Sequence, residues 1–127
     1  MNHQKKLYLR SHFKSNWINL FRKINSNPKR ILVHRADEIG DMVLTLPALR
    51  SVIQKFPEAE IVVWAKAPAL SLLEGEPGIH QRISEGLQPE GKFDLMIDFR
   101  ESEKSLVFAK KSQIKYRLNR GSIRLKN

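Results

Sequence analysis

The stretch Ile31-Leu32-Val33-His34-Arg35-Ala36-Asp37-Glu38-Ile39-Gly40-Asp41-Met42-Val43-Leu44-Thr45-Leu46-Pro47-Ala48-Leu49-Arg50 decides the fold. Its first three residues form an unbroken apolar run, the pattern of a strand buried on both faces of a parallel sheet. A polar loop follows from residue 35 to residue 40. From Asp41 onward the apolar positions, Val43, Leu44, Leu46, Leu49, Val52, Ile53 and Phe56, recur with helical spacing. Pro47 falls inside that pattern. Proline lacks the N–H that an interior helical position donates. The reading is therefore either a helix that starts near Thr45 or a kinked helix.

Working outward, the same alternation repeats. Phe56-Pro57-Glu58-Ala59 ends the helix, and Ile61-Val62-Val63-Trp64 reads as a second buried strand. A short helix over 68–73 closes at Gly75, and Pro77-Gly78 marks a turn. Residues 81–84 read as a brief edge strand, 86–92 as a loop and 93–99 as a further strand. A helix over 101–111 is expected to turn Leu106, Val107 and Ala109 inward, and 115–118 to add one more strand. Strands alternating with helices imply parallel strands joined by right-handed crossovers. The expected fold is α/β, an open parallel Rossmann-like sheet. In such sheets ligands bind beyond the carboxyl ends of the strands. Two polar segments satisfy that condition, residues 35–41 after the first strand and Arg100-Glu101-Ser102 after the later one.

Charge is distributed as unevenly as hydropathy. The 127 residues carry a net charge of +10, but residues 1–30 hold +8, residues 31–103 hold −6 and residues 104–127 hold +8. Residues 9–24 place Leu9, Phe13, Trp17, Leu20, Phe21 and Ile24 on one helical arc, opposite a basic and polar side. Two readings of this arm stand together. It lies on an anionic membrane surface as an interfacial helix, or it is a segment that packs Trp17 on the neighbouring domain or stays disordered. Asn25-Ser26-Asn27-Pro28 then reads as a stop and linker.

Several chemistries are excluded. There is no cysteine, hence no disulfide, thiolate metal site or cysteine nucleophile. The longest apolar run, residues 61–65, is far too short for a membrane span, and the basic start lacks the apolar stretch of an export signal. The loop over 35–41 has one glycine, whereas dinucleotide and P-loop sites need several, and its Asp37 and Glu38 repel phosphate. His3, His12, His34 and His80 are scattered without metal-ligand spacing, so no metal site is read. Two basic ends suit a nucleic-acid backbone, but the acidic centre leaves no continuous basic face, which weighs against that partner. Asp41 retains two explanations, a helix cap or a base held at the mouth of the sheet. Gly40 allows the chain to turn into the helix.

The order Gly40, Asp41, Leu44, Thr45, Pro47 and Leu49 after a hydrophobic strand resembles the opening of the bacterial heptosyltransferases, glycosyltransferase family 9. The likeness continues through Phe56-Pro57-Glu58-Ala59-Glu60-Ile61. It includes Leu72-Leu73-Glu74-Gly75-Glu76-Pro77-Gly78-Ile79, where Glu76 stands in place of the family's asparagine. It then takes in Phe93-Asp94-Leu95-Met96-Ile97-Asp98-Phe99 and Arg120-Gly121-Ser122, covering about residues 30–122. After the later strand this chain has Arg100 and Glu101, where the family often has Gln or His followed by Gly.

The resemblance implies the amino-terminal, acceptor-side domain of a GT-B glycosyltransferase, with a boundary between an arm over 1–29 and a partial Rossmann-like domain over 30–127. It implies inverting transfer of heptose from ADP-heptose to the inner core of lipopolysaccharide, with Asp41 as general base and Gly40 bringing the backbone to the cleft. Arg35, Lys66 and Arg100 would meet an anionic acceptor. It implies no metal and no cofactor of this chain. The nucleotide sugar would bind a donor domain encoded beyond the chain or separately, and the chain alone would be an inactive portion or remnant. The protein is then expected in the cytoplasm, at the inner face of the inner membrane. The alternative from another class is a non-catalytic basic module that binds membrane or nucleic acid.

Overall fold

The structure, a computed structural model, describes residues 27–35, 39–100 and 102–119, with the backbone alone for residues 39–41. The arm over 9–24, Asp37 and Glu38 of the polar loop, Glu101, and Arg120-Gly121-Ser122 lie outside the described residues.

Five strands form one parallel sheet. They are β1 (Arg30–Arg35), β2 (Glu60–Ala65), β3 (Gln81–Ser84), β4 (Leu95–Asp98) and β5 (Tyr116–Asn119), in the order β3-β2-β1-β4-β5. Helix α1 (Ile39–Lys55) joins β1 to β2, α2 (Ala67–Ser71) lies between β2 and β3, and α3 (Glu103–Lys111) joins β4 to β5. Central position explains the uninterrupted apolar runs, because β1 pairs on both edges, with Val33 opposite Val63 of β2 and Ile97 of β4. Period-two alternation then divides its residues between two cores. Ile31 and Val33 pack with Leu49, Val52 and Phe56 of the α1 side and Ala69 of α2. Leu32 packs with Val62, Trp64, Met96, and Phe108 and Ala109 of α3. Helices on both faces make this the α/β Rossmann-like architecture expected from the sequence. Among the described residues no helix is long and apolar enough to cross a membrane.

Local details depart from the reading in instructive ways. Helix α1 begins at Ile39 and passes through Pro47 without stopping, so a start near Thr45 is not what forms. The missing proline N–H deprives the carbonyl of Val43, a residue that is 51% exposed, so the loss falls on the solvent side. Asp41 is the third residue of the helix rather than the residue preceding it, which removes the N-cap position from its explanations. Strand β4 starts at Leu95, two residues later than expected. Immediately before it, the Asp94 carboxylate accepts from the backbone N–H groups of Lys29 and Arg30 at 2.8 and 3.1 Å, and so ties the entrances of β4 and β1 together.

Helix α3 also starts later, at Glu103, because Ser102 caps it. The Ser102 hydroxyl accepts from the Ser105 N–H at 3.1 Å, and the Ser105 hydroxyl accepts from the Ser102 N–H at 2.9 Å. This is a reciprocal capping box with serine in the place usually taken by Glu or Gln. Glu103 in the first turn and Lys110 and Lys111 in the last complement the helix dipole. The cap fixes the phase so that Ser105, Phe108 and Ala109 turn inward. Val107, expected inward, is 44% exposed, and Leu106 is only partly buried.

Candidate functional site at the carboxyl edge of the sheet

From β1 the chain moves outward to β2 and β3, then returns across the sheet to place β4 on the other side of β1. The order therefore reverses between β1 and β4. A reversal of this kind leaves a crevice beyond the carboxyl ends of the two strands, because their following segments diverge to opposite faces. Helix α1 leaves β1 toward one core, and α3 leaves β4 toward the other.

The residues expected at a site distribute around this edge. Arg35 is the last residue of β1, half-buried, and its guanidinium reaches across the switch point to the Phe99 carbonyl at 3.5 Å. The Phe99 N–H in turn donates to the His34 carbonyl at 2.9 Å. Gly40 and Asp41 occupy the first turn of α1, the helix that follows β1. Arg100 is exposed two residues beyond β4. These four share the β1–β4 switch point by their place in the topology. Lys66 is exposed at the N-cap of α2, one strand further out, beyond β2.

Beneath them lies a polar network that sequence reasoning missed. His34 continues the face of β1 that carries Leu32, a position where alternation calls for an apolar side chain. It is fully buried at 0% exposure. Its Nδ1 lies 2.9 Å from Oδ1 of Asp98, its register partner on β4, and its Nε2 lies 3.3 Å from Oε1 of Glu85, just past β3. Asp98 is 2% exposed, and its Oδ2 accepts from Nη2 of Arg117 on β5 at 3.0 Å. Glu85, His34, Asp98 and Arg117 thus form a chain of alternating charge capacity along the carboxyl edge, anchored at β3, β1, β4 and β5.

Burial pushes the Asp98 carboxyl up. Hydrogen bonds from His34 and Ser105, the His34 charge and Arg117 outweigh it, so the group sits below the ordinary aspartate value. A polar network in a dry site is tolerated because each member has a partner. Among the described residues no group of three or more His, Asp or Glu is arranged to hold a metal ion. The signal that would have found the network was present. His34 and Asp98 are polar residues spaced two beyond Leu32 and Met96, on the face that those positions bury.

An open α/β sheet whose strand order reverses between β1 and β4 is a fold that serves many chemistries rather than one. No protein-family model matches the chain, and no curated protein matches it. Among solved structures, the fold is similar to that of the glycosyl transferase family 9 from Veillonella parvula DSM 2008, with a TM-score of 0.61 and 21% identity over 72% of this chain. The chain spans 32% of the length of that protein. The α/β fold that the resemblance of residues 30–122 led us to expect is the fold found.

Proposed function

We propose that the chain forms the acceptor-side domain of an inverting GT-B glycosyltransferase of family 9. In this reading it transfers heptose from ADP-heptose to the inner core of lipopolysaccharide. The observation that carries it is the place of Gly40 and Asp41, in the first turn of the helix that leaves β1 at the switch point. The fold's likeness to a family 9 structure supports the same reading.

Asp41 takes the proton of the acceptor hydroxyl as that oxygen attacks the anomeric carbon. The new carbon–oxygen bond forms on the face opposite the breaking bond to the diphosphate, which leaves with its electron pair as ADP. A carboxylate suits this task for the reason it suits inverting glycoside hydrolysis, where a base activates the nucleophile opposite the leaving group. Arg35, Arg100 and Lys66 attract the anionic acceptor, and a donor domain beyond this chain binds the nucleotide sugar.

The test is transfer of radiolabelled heptose to a heptose-deficient lipopolysaccharide acceptor. The 127-residue chain alone is expected to give none, and addition of a family donor domain is expected to restore it. Transfer by the chain alone, or none with any donor domain while the acceptor still binds, would refute the assignment.

The basic arm over 9–24 would hold such an enzyme at the anionic surface that presents its acceptor. A peptide of residues 1–27 is expected to gain helical circular dichroism on addition of anionic vesicles and not on addition of neutral ones. An unchanged spectrum would remove the arm from a membrane role.

A further inference from the structure

The chain Glu85–His34–Asp98–Arg117 is not used in the transfer chemistry above, and its geometry has a consequence of its own. Both ring nitrogens of His34 face carboxylate oxygens, Asp98 at 2.9 Å and Glu85 at 3.3 Å. An ionised carboxylate only accepts, and a neutral imidazole has one donor and one acceptor nitrogen. A neutral ring can therefore satisfy one of the two carboxylates and must turn a lone pair toward the other. Only the imidazolium, donating from both nitrogens, satisfies the two together.

The two partners are not equally held. Asp98 is fixed from β5 by Arg117 at 3.0 Å, and its carboxylate is inaccessible to solvent. The Glu85 side chain is 20% exposed at the start of the segment that connects β3 to β4. That segment is held to the end of β2 and to α3 through its own further contacts. The Glu85 N–H donates to the Ala65 carbonyl at 3.0 Å, and the Trp64 indole donates to the Leu87 carbonyl at 3.1 Å. Lys104 of α3 donates its ammonium to the Glu85 carbonyl and stands 5.7 Å over the Trp64 ring. The groups facing His34 are thus Trp64 from β2, with ring centroids 4.8 Å apart, Glu85 after β3 and Asp98 from β4. Behind these stand Arg117 from β5, and Ser105 and Lys104 from α3.

We propose that His34 is a proton-operated latch: as an imidazolium it fastens the segment after β3, through Glu85, to the carboxyl edge of the sheet, and loss of one ring proton releases that segment. The proton that leaves is the one on Nε2, because the Nδ1 bond to Asp98 is shorter and its acceptor is immobilised. Neutral His34 then keeps its hydrogen on Nδ1 and presents a lone pair to Glu85. The packing of this segment on the carboxyl edge changes with pH whatever the ligand is, so the latch stands independently of the transferase reading.

The test uses the full chain in two measurements made at a series of pH values. Nitrogen-15 spectra of the His34 ring are expected to show both nitrogens protonated at the acid end and only Nδ1 protonated at the alkaline end. Hydrogen exchange, corrected for intrinsic rates, reads protection of the Leu87 amide, which donates to the Ser84 carbonyl at 2.9 Å. Protection is expected to fall about tenfold with the same midpoint, the size of a lost hydrogen bond to a charged group. In Glu85→Gln the amide can donate or accept, so protection is expected to become independent of His34 ionisation. A ring that stays one neutral tautomer throughout, protection that ignores the ring titration, or a Glu85→Gln variant with the same pH dependence as the wild type would each overturn the latch.

Discussion

Asp98→Ala is expected to lower the free energy of unfolding by about 3–5 kcal/mol, the usual result of removing one member of a buried charge pair. The variant takes from Arg117 and His34 an acceptor that both share in a buried site, and the desolvation that this acceptor offset is then left uncompensated. Against a total stability of roughly 5–15 kcal/mol for a domain, the loss is large enough to be read as a shifted urea midpoint with unchanged slope. The effect carries a pH signature. Asp98 is held below its ordinary value of about 3.9, so folding favours the ionised carboxylate. Its contribution is complete above that ordinary value and disappears as pH falls through the lowered folded value. The difference between wild type and Asp98→Ala is therefore expected to shrink in acid, below about pH 4. A difference that does not narrow in acid, or a loss under about 1 kcal/mol, would show that the His34–Asp98–Arg117 network is not holding the edge together.

Asp41→Asn is expected to reduce transfer about 10²–10⁴-fold in the assay supplied with a donor domain, the range a positioned general base contributes. The variant preserves size and removes the proton acceptor. In the first turn of α1 a carboxylate is worth about 0.3–1 kcal/mol through the helix dipole, so the fold should survive the change with a loss in that range. The combination separates chemistry from folding, because lost turnover with retained stability is what a base predicts. Unchanged turnover would leave Asp41 with its dipole role alone. A collapse of stability matching the loss of turnover would make its role structural. Gly40, Arg35, Lys66 and Arg100 belong to the same proposal through their places beyond β1, β2 and β4, and their effects should fall on acceptor binding.

The parallel sheet could be read from the sequence because β1, β2 and β4 are buried on both faces and so spell themselves as apolar runs. Ile31-Leu32-Val33, residues 61–65 and Leu95-Met96-Ile97 needed no further information. Helix phase was harder to read. In α3 the inward face was set by a cap between Ser102 and Ser105, a local hydrogen-bond pattern that competes with hydrophobic periodicity, and so Phe108 rather than Val107 turned to the core. The start of α1 was obscured by Pro47, which is tolerated because the carbonyl it deprives belongs to an exposed residue.

The carboxyl-edge positions of Arg35, Lys66 and Arg100 followed from strand order alone. The network did not, because its bonds join positions 34, 85, 98 and 117. A histidine at the end of a strand reads as a loop residue until the register places an aspartate opposite it. What remained visible was a breach of pattern, two polar residues continuing buried faces.

The position of β1 at the centre of the sheet also sets the order in which the molecule is completed. Its pairing with β2 can form once residue 65 has been made, but its other edge waits for β4, which ends at Asp98. At a synthesis rate of about 5–20 residues per second, the interval between the ends of β1 and β4 lasts on the order of 3–13 s. Throughout it, the backbone groups on the β4 side of β1 have no native partner, and a bare edge of this kind invites pairing with other chains. The arrival of β4 closes that edge and, with the same register, sets Asp98 beside His34. The closing of the buried pair therefore marks the moment at which β1 no longer offers a bare edge.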